Sequence, residues 1–491
     1  MSDIFETIAA ILHALLVQWG GFQVEVPGNP SLLANALTTG GGTQFRSADI
    51  HSPIHLATDQ RAMKPRSTSK DAGPGSGSSV SEVDSEHEDE PSAREFLNPA
   101  IKVAWVAPSL ERGWRWQALL KELSRIYPQT VVFTGRWPGF TQGFENAFEV
   151  RDLRKYRFIR VPWSDPDAFH GFAWVSPLIL WDLVRFRPDI IVTNGFHLCS
   201  LYALIVKWLL GSRVVLIWQG VSAETGGTPG SLRLKVRRAM ARFFDLAVCN
   251  TREGSDYLTG LVKMPLEKVV HFVGEVADRH CFPTRNETLK PFESLKRPLF
   301  LFVGRMIRGK GVEKLLEACA ILIRRGLRDF SVALVGEGRD REYFRRLASR
   351  LGIAPWTTWK GFVPYERLGP IYEASDVFVL PSLEDTWGVV VAEAMCFGKP
   401  VICSVQAGSS ELVEEGRNGF VFNPYAPQEL ATYMARFIRD PELIAKLGSN
   451  AQAKAANLTP RRAARRFAFL LAKCAGYDAP QGFSETIHTV N

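Results

Sequence analysis

Residues 381–401 read PSLEDTWGVVVAEAMCFGKPV, and this stretch places a glutamate, Glu393, inside an otherwise apolar run. A buried carboxylate is costly unless it is hydrogen-bonded or paired, so the pattern indicates a polar partner for Glu393. Asp385 lies eight positions earlier in a polar segment, and Gly388 lies between the two carboxylates. A glycine there allows a backbone to approach a ligand closely. The stretch therefore predicts a strand, a loop and a helix whose N-terminal end holds a polar group.

Apolar runs on both sides of this stretch alternate with helical patterns. The first series contains IKVAWVAPS (101–109), PDIIVTNG (188–195), SRVVLIWQG (212–220) and DLAVCN (245–250). The second contains PLFLFVGR (298–305), FSVALVGEG (330–338), DVFVLPS (376–382) and PVICS (400–404). Continuous apolar strands that alternate with helices are typical of parallel sheets covered on both faces. The sequence predicts an α/β chain with two doubly wound domains, which bind ligands beyond the carboxyl ends of their strands.

Charge is distributed unevenly along the 491 residues. Residues 1–100 hold 6 Lys and Arg against 13 Asp and Glu, so the remainder carries +15 although the whole chain carries +8. This positive charge on residues 101–491 suits anionic partners such as nucleotide diphosphates or anionic lipid headgroups. No nucleic-acid recognition motif accompanies the charge, so we expect no nucleic-acid partner. The seven cysteines form no CxxC pair or Cys/His cluster, which argues against a zinc site and a disulfide scaffold and favours an intracellular location.

The N-terminal 98 residues differ in composition from the rest. Residues 4–22 form an apolar segment interrupted by Glu6, His13 and Gln18. This pattern favours an amphipathic helix over a transmembrane span. Such a helix can dock on a partner, on a membrane surface or on the folded part of the chain. Residues 64–95 are rich in Ser, Gly, Pro and acidic residues, which predicts a disordered linker.

A glycine-rich segment, GRMIRGKG (304–311), follows a predicted strand and opens a predicted helix. It nearly matches a P-loop, but Gly311 stands where the magnesium-binding hydroxyl belongs, which argues against an NTPase. Arg305 and Lys310 still suit an anion at a helix N-terminus. A solvated basic loop is the alternative interpretation. VGEGR (335–339) lacks the third glycine of a dinucleotide fingerprint, so it predicts a tight turn in which Gly338 borders a nucleotide.

Three residues of the first domain are candidates for the cleft between the domains. His197 and Gln219 follow apolar strands, so both are predicted at strand carboxyl ends. Gly113 follows the first strand, where it can approach a phosphate or simply form a turn. His197 fits equally well as a helix N-terminal residue with no chemical role.

At this point the residues resemble a known family. FVGRMIRGKGVEKLLEA (302–318), WKGFVPYERLGPIYEASDVFVLPSLEDTWGVVVAEAMCFGKPVI (359–402) and AGSSELVEEGRNGFVFNP (407–424) are similar to the carboxy-terminal domain of glycosyltransferase family 4. Its members are retaining enzymes of the GT-B fold, in which two Rossmann-like domains face each other. The resemblance implies an acceptor domain at 99–285, a donor domain at 286–460 and a terminal helix within 461–491 that packs back on the first domain.

The resemblance also implies roles for individual residues. Arg305 and Lys310 match the pair that holds the donor diphosphate, and Glu393 matches the second glutamate of the Glu-x7-Glu signature, which contacts the ribose. Asp385 stands at the first position, which grips sugar hydroxyls; it is one methylene shorter, and the adjacent Glu384 can substitute for it. The remaining donor-binding positions, some through backbone N–H groups, are Gly338, Phe362, Val363, Trp387, Gly388 and Val389.

Gln219 replaces the histidine that many members carry, and a glutamine cannot act as an acid or base near pH 7. The resemblance suggests same-face attack, with the departing diphosphate drawing the acceptor's proton, and with neither a metal nor a cofactor. We expect a hexosyltransferase that moves a sugar from a nucleotide-diphosphate donor to an acceptor, which is a glycan, a lipid-linked molecule or a small molecule. Its expected location is the cytoplasm, where peripheral contact with a membrane is compatible with its basic charge. A non-catalytic nucleotide-sugar-binding protein and a GT-B nucleotide-sugar epimerase are the alternatives.

Overall fold

Two parallel β-sheets with helices on both faces organise the chain. The computed structural model describes residues 100–108, 114–141, 143–152, 156–160, 171–220, 231–272, 279, 282 and 292–477. The predicted N-terminal helix and linker within 1–98, and Gly113, lie outside these ranges. All described residues belong to one compact unit.

The first domain contains both regular sheet strands and a separate strand pair. Its strands are β1 (Val103–Ala107), β2 (Thr130–Thr134), β3 (Glu149–Asp152), β4 (Tyr156–Arg160), β5 (Gly171–Val175), β6 (Ile190–Asn194), β7 (Arg213–Trp218), β8 (Leu246–Cys249) and β9 (Val269–His271). Its helices are α1 (Trp114–Ile126), α2 (Leu178–Phe186), α3 (Leu198–Leu210), α4 (Leu232–Ala241) and the short α5 (Arg252–Asp256). Seven strands form a parallel sheet in the order β3-β2-β1-β6-β7-β8-β9.

Alternate residues of each strand pack against different helical layers, as the pleat of a strand requires. Ala104 and Val106 of β1 join a core with α2, α3 and α4. Val103 and Trp105 point to the opposite face, where they pack with α1 and the last helix of the chain. Because both faces are covered, the central strands are apolar throughout, which is the pattern that the sequence showed.

The second domain repeats this plan with six parallel strands in the order β12-β11-β10-β13-β14-β15. Its strands are β10 (Leu299–Val303), β11 (Ser331–Val335), β12 (Thr357–Gly361), β13 (Val377–Leu380), β14 (Val401–Ser404) and β15 (Gly419–Phe422). Its helices are α6 (Val312–Arg324), α7 (Arg341–Arg350), α8 (Gly369–Glu373), α9 (Val390–Cys396), α10 (Pro427–Arg439) and α11 (Glu442–Ala456). The predicted fold class, two doubly wound Rossmann-like domains, is confirmed for the described residues.

The last helix, α12 (Pro460–Cys474), crosses back to the first domain. The Tyr127 hydroxyl, just beyond α1, donates to the Ala468 carbonyl at 2.9 Å. The ring of Phe467 meets Trp105 edge-on with centroids 5.9 Å apart. A helix from the far end of the chain thus completes the first domain's second helical layer.

One element departs from the alternating pattern. β4 and β5 pair antiparallel, with Tyr156 opposite Val175, and they lie outside the main sheet. This pair was not among the elements predicted from the sequence. The segment leads directly into α2 and lies over α3, since the Tyr202 hydroxyl of α3 donates to the Val175 carbonyl at 3.1 Å.

Candidate active site

The loops that follow β10 and β13 are joined to each other at the carboxyl edge of the second sheet. The backbone N–H groups of Leu383 and Glu384 both donate to the Gly309 carbonyl, at 2.9 and 3.2 Å. The Gly304 N–H donates to Val335 at the end of β11, at 3.0 Å. These bonds bring together the glycine-rich segment and the stretch around Asp385, which are remote in sequence.

Gly311 is required by close backbone packing. Its φ is +67°, and a Cβ at this position would lie 1.8 Å from the Pro381 carbonyl oxygen. A residue with a side chain would be strained at this φ and would also collide with the Pro381 carbonyl oxygen. The glycine that broke the P-loop pattern therefore allows the β10 and β13 loops to touch.

Lys310 and Asp385 form an ion pair at this junction. The Lys310 Nζ lies 2.6 Å from Asp385 Oδ2, and the two side chains are only 17% and 12% exposed. Asp385 is held by its backbone, because its N–H donates to the Gln406 carbonyl at 3.1 Å and its own carbonyl accepts from the Gly408 N–H at 3.0 Å. The site thus contains a cation whose position is fixed and whose charge is balanced by one carboxylate.

Glu384, which precedes Asp385 in the chain, has a buried side-chain oxygen, Oε1, without a hydrogen-bond partner among the described residues. Ser409 Oγ lies beside Gly388, since a Cβ on that glycine would be 2.9 Å from it and 3.4 Å from Asp385 Oδ2. Gly388 has φ +86°, which favours glycine. The buried Glu384 oxygen calls for an explanation such as a ligand or water.

Glu393 is buried, at 1% exposed, in α9. The Tyr372 hydroxyl of α8 donates to Glu393 Oε2 at 2.6 Å, and the Tyr372 ring stacks on Phe397 with centroids 5.5 Å apart. The polar partner that the apolar surroundings of Glu393 demanded is thus a tyrosine from the preceding helix. Contact with a ribose stays a prediction.

The other predicted donor residues lie at the same edge of the sheet. Arg305 and Gly338 are exposed in the turns after the paired strands β10 and β11. Phe362 follows β12 and is 73% exposed, and Val363 beside it is half-buried. Trp387, Gly388 and Val389 are buried immediately before α9.

His197 and Gln219 follow the neighbouring strands β6 and β7. His197 is the N-cap residue that precedes α3, and its side chain makes no capping bond. Burial lowers the pKa of His197 to about 4, against the opposing effect of a hydrogen bond with the Asn194 backbone. The imidazole is therefore neutral near pH 7. Three buried atoms here lack a hydrogen-bond partner in the described parts of the chain: His197 Nε2, Asn194 Oδ1 and Trp218 Nε1. Asn194 and Trp218 were not among the predicted site residues.

The carboxyl ends of the first sheet meet the loops of the second domain. A Cβ on Gly220, after β7, would lie 2.6 Å from the Thr386 carbonyl oxygen, next to Asp385. Glu411 accepts from the Arg252 N–H at 2.7 Å and lies 3.1 Å from His271 Nε2. The sequence did not reveal the role of Glu411, because its partners are far away in the chain.

Neither a metal site nor a membrane-spanning helix is present in the described residues. Within the described ranges, no group of three or more His, Cys, Asp or Glu side chains is arranged to hold a metal ion. No helix in those ranges combines the length and apolarity needed to cross a membrane.

Two family profiles match the chain, one for each domain. The profile "Glycosyl transferases group 1" matches residues 285–454, and "Glycosyl transferase 4-like domain" matches residues 113–272. Residues 285–454 thus form a group 1 glycosyltransferase domain, and residues 113–272 form a glycosyltransferase 4-like domain. The resemblance found in the sequence and the predicted enzyme class, a hexosyltransferase, are therefore confirmed.

Relatives of this glycosyltransferase include named enzymes. The alpha-D-kanosaminyltransferase of Streptomyces kanamyceticus is 27% identical over 321 residues, which are 61% of this chain and 82% of the relative. The D-inositol 3-phosphate glycosyltransferase of Streptomyces griseus is 35% identical over 314 residues, 59% of this chain and 63% of the relative. The crystal structure of Anabaena HepE in complex with UDP superposes with a TM-score of 0.60 at 20% identity and covers 76% of this chain and all of HepE. This likeness supports the GT-B fold.

Proposed function

We propose that this glycosyltransferase transfers a hexosyl group from a nucleotide-diphosphate sugar to an acceptor hydroxyl with retention of the anomeric configuration. The observation that carries the proposal is the Lys310–Asp385 ion pair at 2.6 Å, set where the loops of the second sheet meet the carboxyl edge of the first. A fixed cation beside a sugar-binding carboxylate suits the junction between a diphosphate and its sugar.

The diphosphate is assigned to Arg305 and Lys310. Both follow β10, and Lys310 is held in place by its carboxylate partner. The negative charge that develops on the departing diphosphate is stabilised best by cations that need no rearrangement. Arg308 of the same loop stacks over Tyr343 instead, with 4.8 Å between the guanidinium carbon and the ring centroid. It is therefore a natural control.

The rest of the donor is assigned to the neighbouring carboxylates and to Phe362. Glu384 Oε1, buried without a partner in the described structure, adds an acceptor for sugar hydroxyls beside the shorter Asp385. Glu393, oriented by Tyr372, is assigned to the ribose. The exposed ring of Phe362 offers an apolar surface to the base.

The acceptor is assigned to the first domain. His197 Nε2, Asn194 Oδ1 and Trp218 Nε1 supply both hydrogen-bond donor and acceptor capacity, which suits a polyhydroxylated group. His197 is neutral and Gln219 is not an acid or base, so neither serves as a strong proton acceptor near pH 7.

We therefore propose a reaction in which the departing diphosphate acts as the base. The bond between the anomeric carbon and the diphosphate oxygen breaks as the acceptor oxygen bonds to that carbon on the same face, and the acceptor's proton passes to the departing diphosphate. No metal or cofactor enters this scheme. The protein contributes positioning and charge stabilisation. We place the enzyme in the cytoplasm, in peripheral contact with a membrane, acting on a glycan, a lipid-linked or a small-molecule acceptor.

A panel of nucleotide sugars tests the proposal. A bound donor raises the apparent unfolding temperature by mass action, and the purified protein is then incubated with that donor and candidate acceptors. Release of nucleoside diphosphate together with an α-linked product from an α-linked donor is the expected result, with the anomer assigned by NMR. Binding without turnover favours the non-catalytic binder, and conversion of the donor sugar without acceptor favours the epimerase. An inverted product overturns retention.

A further inference from the structure

Large apolar side chains are exposed on one helical layer of the first domain. Trp181 of α2 is 70% exposed, and Trp208 of α3 is 51% exposed. Leu178, Leu209 and Phe243 are also more than half exposed. Contiguous exposed apolar side chains mark interaction sites more often than chance placement would.

These side chains share one layer because of how their helices pack. The buried sides of α2, α3 and α4 belong to one core on the same face of the first sheet, opposite α1 and α12. α2 packs against α3. The Lys207 Nζ of α3 donates to the Phe243 carbonyl beyond α4 at 2.8 Å, which joins the end of α3 to the turn that follows α4. The exposed residues therefore belong to the outer side of α2, α3 and α4.

The same layer is strongly basic. Asp182 is the only acidic residue within the three helices, whereas the basic residues other than Arg237 are Arg185, Lys207, Arg233, Lys235 and Arg238. Arg237 turns inward, where its guanidinium lies over the Trp218 ring. Arg242 follows α4 and is exposed. Lys207 is neutralised by Asp245 at 2.6 Å, but Lys235 and Arg185 are exposed at the surface. The outer side of the layer thus combines indole rings, aliphatic side chains and positive charge.

This combination fits one class of partner. Tryptophan prefers the boundary between hydrocarbon and headgroups, and anionic headgroups attract nearby Lys and Arg. A second copy of the chain that used the same surface symmetrically would bring the basic side chains against each other. We propose that the outer side of α2, α3 and α4 docks on the surface of an anionic lipid bilayer. The membrane contact itself rests on the proposed function, and this surface is where that contact is made. Docking of the surface on lipid does not require glycosyl transfer.

Sedimentation with lipid vesicles tests the inference on the full chain. Vesicles of phosphatidylcholine alone are compared with vesicles that also contain phosphatidylglycerol. We expect the protein to bind the anionic vesicles, and added salt to weaken binding. Replacing Trp181→Ala and Trp208→Ala together should lower the partition coefficient at least about tenfold. Tyr425→Ala, which removes a 66% exposed aromatic ring from the second domain, should change nothing.

A charge-reversal variant, the thermal shift produced by UDP and light scattering complete the test. Arg185→Glu with Lys235→Glu should weaken binding to anionic vesicles while leaving the thermal shift produced by UDP unchanged, so that failure of docking and failure of donor binding are told apart. No binding to either vesicle, or unchanged binding of the double Trp variant, overturns the inference. Light scattering that shows a dimer dissociated by the double Trp variant also overturns it, in favour of self-association.

Discussion

Replacing Asp385 by Asn removes one negative charge while nearly preserving the shape of the side chain. In this structure Asp385 Oδ2 lies 2.6 Å from Lys310 Nζ, and the pair is largely shielded from water. If Lys310 binds the donor diphosphate, the carboxylate competes with the diphosphate for the same ammonium group. Asp385→Asn should therefore strengthen the binding of a nucleoside diphosphate, whereas Lys310→Ala should weaken it.

The size of this effect follows from the exposure of the pair. A fully exposed ion pair contributes about 0–1 kcal/mol, and loss of one partner from a fully buried pair costs about 3–5 kcal/mol. Side chains that are 17% and 12% exposed lie between these limits. Release of Lys310 should contribute about 1–2 kcal/mol, which is about a fivefold to thirtyfold gain in affinity for UDP. Turnover should fall, because the sugar hydroxyls lose a charged acceptor.

Isothermal titration calorimetry with UDP measures the affinity, and donor consumption measures turnover. Asp329→Asn is the matched control, because Asp329 forms an exposed ion pair with Lys296 far from the site. The reasoning is refuted if Asp385→Asn weakens UDP binding as much as Lys310→Ala does. Asp385 would then position Lys310 for the diphosphate without competing for it.

Three further substitutions test single features of the site. Gly311→Ala should cost at least about 2 kcal/mol, because the new Cβ would lie 1.8 Å from the Pro381 oxygen at a φ of +67°; differential scanning fluorimetry should show a lower Tm. Tyr372→Phe removes a hydrogen bond to a buried carboxylate and should cost about 2 kcal/mol in the same assay. Burial lowers the pKa of His197 from 6.5 to about 4 in the folded protein, so the unfolded chain binds more protons between these two pH values. Stability should fall as the pH drops through this window, by at most about 3 kcal/mol, and His197→Gln should remove that contribution.

Each of these predictions has its own control or contrary outcome. Gly309→Ala, in the same turn with nothing within 4 Å of the new Cβ, should leave Tm nearly unchanged. An equal loss in both glycine variants would argue against the Pro381 contact. An unchanged Tm for Tyr372→Phe would mean that Glu393 gains little from the tyrosine. For His197, identical pH profiles of the wild type and the variant would contradict a lowered pKa.

The sequence was informative about the fold because both sheets are parallel and buried on both faces. Their strands are then apolar throughout, as in LFLFV of β10, and each strand is followed by a helix. The β4–β5 pair could not be found in this way, because it does not follow the alternation of the main sheet.

The site was predictable where one short segment holds the signal. The apolar surroundings of Glu393 required a partner, but only the fold could identify Tyr372, which lies 21 residues earlier and approaches from another helix. The glycine at 311 excluded a P-loop, and the structure adds the contact with Pro381 that explains it. Contacts between the domains, such as Glu411 with Arg252 across 159 residues, leave no local pattern in the sequence.

The central claim is that Lys310 stabilises the diphosphate of a nucleotide-sugar donor during transfer. The most direct test compares kcat/KM for release of nucleoside diphosphate in the wild type, in Lys310→Ala and in Arg308→Ala, which removes a cation two residues away that stacks on Tyr343. The account predicts a loss of at least about 100-fold for Lys310→Ala and little change for Arg308→Ala. Equal rates in the wild type and Lys310→Ala would contradict it.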